Sequence, residues 1–267
     1  MEVVILADDE SVGEAAAAKI AQIALATGPS VVLGLATGSS PVSAYKALRR
    51  RVTQGSIDLS AGSAFALDEY VGLAPGHPQS YRCVIDRDAA APLGLSPDRV
   101  HTPNGSARDI PAAAAEYEHL IRAAGGIDVQ ILGVGSNGHI GFNEPGSSLG
   151  SRTRIKTLTS TTRRDNRRFF TTLEEVPHHC ITQGLGTIMD ARHVVLVAQG
   201  SAKAEAISQI CEGPVSTMWP GSVLQFHKQA TIIVDEAAAS QLRLAEYYKQ
   251  TFAAKPAWQR FIPTAPV

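Results

Sequence analysis

Short runs of β-branched and other apolar residues alternate along the chain with longer alanine-rich stretches of helical period. This is the pattern of strands feeding crossover helices in a mostly parallel sheet. Val3 to Ala7 opens the series. Ser11, with Glu14 three residues on, predicts a capping box for a helix running to about Thr27, where Gly28 and Pro29 stop it. Val31 to Ala36 predicts a second strand, continuously apolar as expected of one covered on both faces. Thr37-Gly38-Ser39-Ser40-Pro41 then leads into a helix. Ser63 to Leu67 predicts a third strand, ending directly at Asp68, Glu69 and Tyr70. Ile110 to Ala124 has helical character and is ended by Gly125-Gly126. Asp128 to Leu132, His193 to Ala198 and Ala230 to Val234 read as further strands. The expectation is one α/β domain over residues 1–267: an open, mostly parallel, doubly wound (Rossmann-like) sheet of about six strands flanked by helices. No repeat or linker divides the chain.

The interval from Asn143 to Phe170 breaks this pattern, being rich in Ser, Thr, Arg and Gly. Arg152, Arg154, Lys156, Arg163, Arg164, Arg167 and Arg168 fall within it. Two readings stand side by side: a solvated surface excursion, or a mobile lid over roughly residues 145–175 that brings cations over an anionic ligand.

Composition narrows the function classes. Lys and Arg number 24 against 25 Asp and Glu in 267 residues, a formal net charge of -1, which gives no electrostatic reason to seek nucleic acid. Hydrophobic residues make up 44% and charged residues 18%, which argues for a large packed core. No stretch approaches the roughly 18 consecutive apolar residues of a membrane span, and MEVVILADDE has no basic segment ahead of its apolar run, so the expected location is the cytoplasm. Cys83, Cys180 and Cys211 are widely spaced and form no CxxC, which predicts buried free thiols.

In open α/β sheets, ligands bind beyond the carboxyl ends of the strands, and three strand exits here carry polar residues. Thr37 to Ser40 is either a phosphate cradle of backbone N–H groups or simply a helix cap. At the second exit, adjacent carboxylates on a strand point to opposite faces, so only one of Asp68 and Glu69 can address a site. Asp68 suits a general base if desolvation raises its pKa, or caps the following turn. At the third, His139 lies close to Asn137 and Glu144, a feasible trio for setting the charge and tautomer of an imidazole, although a histidine in a glycine-rich loop also serves structural ends. A metal site is not indicated, for want of further ligands.

Four blocks, Gly34 to Pro41 (GLATGSSP), Leu67 to Leu73 (LDEYVGL), Gly133 to Pro145 (GVGSNGHIGFNEP) and Ser151 to Arg154 (SRTR), resemble the glucosamine-6-phosphate deaminase family in order. The resemblance spans roughly residues 1 to 250. It implies conversion of glucosamine 6-phosphate and water to fructose 6-phosphate and ammonia, in amino sugar catabolism, without metal or organic cofactor. By resemblance, Asp68 removes the C2 proton of the open-chain sugar and returns it at C1. His139 handles the ring-oxygen proton, tuned by Glu144 and Asn137. Many members have aspartate at position 137, and an amide orients the imidazole without stabilising its charge. The phosphate falls to Thr37, Gly38, Ser39 and Ser40 with Arg168 and Lys203, a bidentate fork beside a point charge. The segment after Glu144 matches the family's lid. Ser147, Arg154 and Lys156 match positions where allosteric members bind the activator N-acetylglucosamine 6-phosphate between subunits, which implies a homo-oligomer, the family including hexamers and smaller forms.

Two alternatives compete with this reading. A 6-phosphogluconolactonase shares the fold and an anionic sugar substrate but has no need of the Asp-Glu-Tyr and Phe-Asn-Glu-Pro blocks. A non-catalytic sugar-phosphate-sensing domain of a regulator would carry a DNA-binding helix pair, whereas this chain opens on a strand.

Overall fold

The alternating pattern resolves, in a computed structural model that describes residues 1–262, into a chain that enters and leaves one parallel sheet. In order the elements are β1 (Glu2–Leu6), α1 (Asp9–Thr27), β2 (Val32–Leu35), α2 (Val42–Thr53), β3 (Ser63–Ala66), β4 (Asp68–Tyr70) and α3 (Tyr81–Ile85). There follow β5 (Val100–His101), α4 (Ile110–Ala123), β6 (Val129–Leu132), β7 (Arg154–Thr157), α5 (Ser160–Asn166) and β8 (His179–Thr182). The chain continues through α6 (Leu185–Met189), β9 (His193–Ala198), α7 (Ala204–Glu212), β10 (Ala230–Asp235) and α8 (Ala245–Ala253).

The large sheet has seven strands in the order β1-β10-β9-β6-β2-β3-β5, every neighbouring pair parallel. Alternate residues of each strand feed opposite cores, as the period of two requires. Val4, Leu33, Leu35, Ile131, Val195 and Ile233 pack with α1 and α2. Val3, Val32, Leu132, Val194, Leu196 and Ile232 pack with α4, α6 and α7. From β2 the sheet grows outward through β3 and β5, and β6 then returns to the other flank of β2. The switch point therefore lies between β2 and β6, where two of the three polar exits emerge.

Three expectations are corrected. The sheet has seven strands rather than about six, because the two-residue β5 adds an edge too short to leave an apolar run. A second sheet, antiparallel β4-β8-β7, was not anticipated. The helix α1 is capped by Asp8, whose carboxylate accepts the Ser11 N–H at 2.8 Å, so Ser11 is the recipient of the cap and Glu14 pairs instead with Arg50 and Arg51. Asp and Ser cap about equally well, and the nearer carboxylate set the start three residues earlier. Gly28 ends α1 as expected, with φ at +101°.

Leu67 joins the two sheets: its N–H donates to the Leu35 carbonyl at 2.9 Å and its own carbonyl accepts the Gln183 N–H at 2.7 Å. Among the described residues, no helix is long and apolar enough to cross a membrane. The three cysteines are free; Cys180 and Cys211 are buried as expected, while Cys83 is only partly so.

Candidate active site

At the β2 exit, the Tyr45 hydroxyl accepts the Ala36 N–H at 3.0 Å and donates to the Ala36 carbonyl at 2.9 Å, pinning the start of the 37–40 loop. Gly38 takes φ of +96°, open to glycine at little cost, and turns the loop into α2. No side chain caps α2, so the positive end of its dipole is directed at the loop.

At the β3 exit the chain crosses into the second sheet, and Asp68 stands at the crossing, 5% exposed and facing a cavity of about 740 Å³. Burial pushes its carboxyl well above the usual carboxylate range, and the charge of Glu69 adds to the rise. Glu69 points the other way. Its carboxylate accepts the N–H groups of Tyr70 and Tyr81 at 2.8 Å and of Arg82 at 2.9 Å, anchoring the start of α3.

At the β6 exit, the His139 ring lies against Gly135, where a Cβ would come within 2.2 Å of it; only a glycine leaves room for the imidazole. Glu144 stands behind, its Oε2 at 3.7 Å from His139 Nδ1, an electrostatic contact rather than a formed hydrogen bond. Asn137 Nδ2 donates to that same oxygen at 2.7 Å, its Oδ1 accepts the His139 N–H at 3.3 Å, and the Thr162 hydroxyl donates to Glu144 Oε1. Burial alone would raise the Glu144 carboxyl, but the facing imidazole and the bonds from Thr162 and Asn137 outweigh it and bring it down to about 2.

The cavity wall gathers Thr37, Gly38, Ser39, Ser40, Asp68, His139, Arg168 and Lys203. Arg168 follows α5, its guanidinium 4.7 Å from the Phe169 ring centre. Lys203 precedes α7; burial and the neighbouring Arg168 charge pull its pKa below the ordinary ammonium value. Asn137 and Glu144 stand behind His139, off the wall. Ser147, Arg154 and Lys156 do not line this cavity. Among the described residues the Ser147 hydroxyl is buried without a partner, Arg154 donates to Asn143 Oδ1 at 2.8 Å, and Lys156 is half-buried on β7.

The interval from Asn143 to Phe170 divides in two. Its middle is β7, hydrogen-bonded into the second sheet, whereas Thr162, Asp165, Asn166, Arg168, Phe169 and Phe170 line the cavity. Sequence reasoning missed the network that holds this part of the wall. Asn166 Nδ2 donates to the Tyr70 hydroxyl at 2.9 Å, which also meets the Tyr81 hydroxyl at 3.2 Å. Tyr70 was within reach, since it lies two residues past Asp68 on the same strand face. Thr162, Asn166 and Tyr81 carry no local signal, because their partners are distant in sequence.

A doubly wound parallel sheet, with a switch-point cavity whose wall brings Arg168, Lys203 and a backbone loop together with a buried carboxyl and an imidazole, defines an α/β protein for a small anionic ligand. Residues 7–233 match the model of the family glucosamine-6-phosphate isomerases/6-phosphogluconolactonase, and the chain belongs to that family. It is 60% identical to a glucosamine-6-phosphate deaminase of Arthrobacter sp. (strain FB24), over 97% of this chain and 99% of that protein. It is 55% identical to that of Mycolicibacterium smegmatis, over 97% and 99%. The solved structure of a monomeric glucosamine-6-phosphate deaminase superposes with a TM-score of 0.87 at 37% identity, covering 90% of this chain and 100% of that one. The 6-phosphogluconolactonase from Trypanosoma cruzi, with a TM-score of 0.73 at 20% identity over 91% and 97%, shares the fold.

Proposed function

We infer that the chain is a glucosamine-6-phosphate deaminase, converting D-glucosamine 6-phosphate and water to D-fructose 6-phosphate and ammonia. The observation that carries the reading is the single cavity joining Asp68 and His139 to the 37–40 loop, Arg168 and Lys203. High identity to deaminases over nearly the whole chain supports it, whereas the lactonase likeness reaches only the fold.

The loop amides, the Arg168 fork and Lys203 hold the phosphate and extend the sugar toward Asp68. His139 carries the proton from the C1 hydroxyl to the ring oxygen, opening the ring to an aldehyde that acidifies C2–H. Glu144 and Asn137 hold the imidazole for that transfer. Asp68, a stronger base for its burial, takes the C2 proton while a proton of the substrate's ammonium group passes to O1, giving an enolamine, and returns the C2 proton at C1, leaving an iminium at C2. Water adds at C2 and ammonia departs, which gives the ketose. No step calls for a cofactor.

The proposal extends to the cytoplasm as location, N-acetylglucosamine catabolism as context, a mobile cover over the cavity, and an assembly activated by N-acetylglucosamine 6-phosphate at Ser147, Arg154 and Lys156. The unpartnered Ser147 hydroxyl supports the last of these. The test is ammonia release from glucosamine 6-phosphate coupled to fructose 6-phosphate detection, with and without the acetylated sugar, and sedimentation for the assembly. Absence of both products sinks the reading, and kinetics unchanged by the acetylated sugar remove the activator.

A further inference from the structure

The exits of β9 and β2 are tied together across the exit of β6, which lies between them in the sheet. Gln199, the first residue beyond β9, donates from Nε2 to the Ser40 carbonyl at 3.2 Å and to Ser43 Oγ at 3.4 Å. The next residue, Gly200, donates its N–H to both carboxylate oxygens of Asp235 at 3.0 Å, and Asp235 also accepts the Ala238 N–H at 2.7 Å. The Lys203 N–H returns to the Gly200 carbonyl at 3.0 Å, so the Gly200 turn sets where Lys203 stands. One dipeptide thus fixes two parts of the cavity wall that come from distant segments.

The Ser40 carbonyl matters because it belongs to the loop that lines the cavity, and an unpaired carbonyl beside an anion subsite repels the anion. Gln199 satisfies that carbonyl while remaining off the cavity wall. We propose that Gln199 is a positioning residue of the phosphate subsite, setting the 37–40 loop against the Lys203 turn and so governing affinity for the phosphate without touching it. The proposal rests on the deaminase reading only for its assay substrate, since the same subsite would hold the phosphate of any sugar phosphate.

The test compares wild type with Gln199→Met, of similar size but without donors, and Gln199→Glu, which offers only acceptors at neutral pH. For Gln199→Met, KM for glucosamine 6-phosphate rises about fivefold, kcat stays within about twofold, and the Kd for inorganic phosphate measured by calorimetry rises in parallel, as loss of a hydrogen bond predicts. For Gln199→Glu, the carboxylate faces the Ser40 carbonyl and the bound anion, and both constants rise at least about tenfold beyond that. Unchanged KM and phosphate affinity in the methionine variant, or a fall in kcat with KM intact, overturns the proposal. Should wild type release no ammonia, the deaminase reading fails by itself. The phosphate Kd then still decides: a weaker Kd in the variants upholds the role of Gln199, and an equal Kd overturns it.

Discussion

Replacing Glu144 by glutamine removes a charge buried behind His139 while keeping the side chain's shape. Glu144 is 4% exposed. Its carboxyl lies at about 2, against an ordinary value of 4.5, because the facing imidazole and the bonds from Thr162 and Asn137 outweigh its burial. A carboxyl with a lower pKa in the folded than in the unfolded chain stabilises the fold fully above the unfolded value, and that stabilisation is lost as pH falls through the folded one. Each unit of difference is worth about 1.4 kcal/mol, so the charge contributes roughly 3 kcal/mol at pH 6. At pH 3 the unfolded carboxyl is already protonated and the contribution falls to roughly 1 kcal/mol. Glutamine cannot titrate, so the difference between the two proteins reports the Glu144 charge together with its coupling to the facing imidazole. Urea unfolding of wild type and Glu144→Gln, at steps from pH 6 to pH 3, should show the wild-type advantage shrinking by about 2 kcal/mol. An advantage of the same size at both ends of that range would refute the reasoning, since it would mean that the buried charge is not held by its neighbours.

Asp68→Asn should reduce deamination by about 10³-fold or more, and an active variant would remove Asp68 as the base. The same variant should melt at a higher temperature at pH 8. Burial raises the Asp68 carboxyl, so ionising it costs the fold stability as pH rises through the folded value, and asparagine has no such cost; a lower melting temperature would contradict this. The acid limb of kcat/KM should accordingly fall above the usual carboxylate range, with activity lost as pH drops, and a pH-rate profile checks it. Gly135→Ala should lower kcat by about 100-fold, because the added carbon displaces the His139 ring; normal turnover would show that the ring position is not critical. Arg168→Ala should raise KM by about 10- to 100-fold, as expected for a charge-assisted bond to phosphate, and steady-state kinetics would expose a normal KM.

The parallel sheet was legible because its strands are buried on both faces and so read as uninterrupted apolar runs, as in Val32–Leu35 and His193–Ala198. The second sheet was not, for the opposite reason. Arg154–Thr157 alternates half-buried with exposed residues and lies among arginines, and Asp68–Tyr70 is polar at two of its three positions, so neither looks like a strand until the two are joined through β8. Of the site, the residues in glycine-rich or acidic blocks at strand ends stood out from their apolar surroundings. Gln199, Thr162 and Asn166 did not, since each acts through hydrogen bonds to a segment far along the chain and leaves no periodic trace.

The junction at Leu67 has a consequence for how the protein is made. Asp68 pairs with Thr182 and Tyr70 with Cys180, so the strand bearing the buried carboxyl has no partner until the ribosome has passed residue 182. β1 waits longer still, for Thr231 to Asp235. A chain interrupted before β8 would hold the 37–40 loop and the Gly135–His139 turn yet have nothing to fix Asp68. Gln199 and Lys203 are also still unmade at that point, so nascent or truncated chains should neither hold the phosphate nor react with the sugar that carries it.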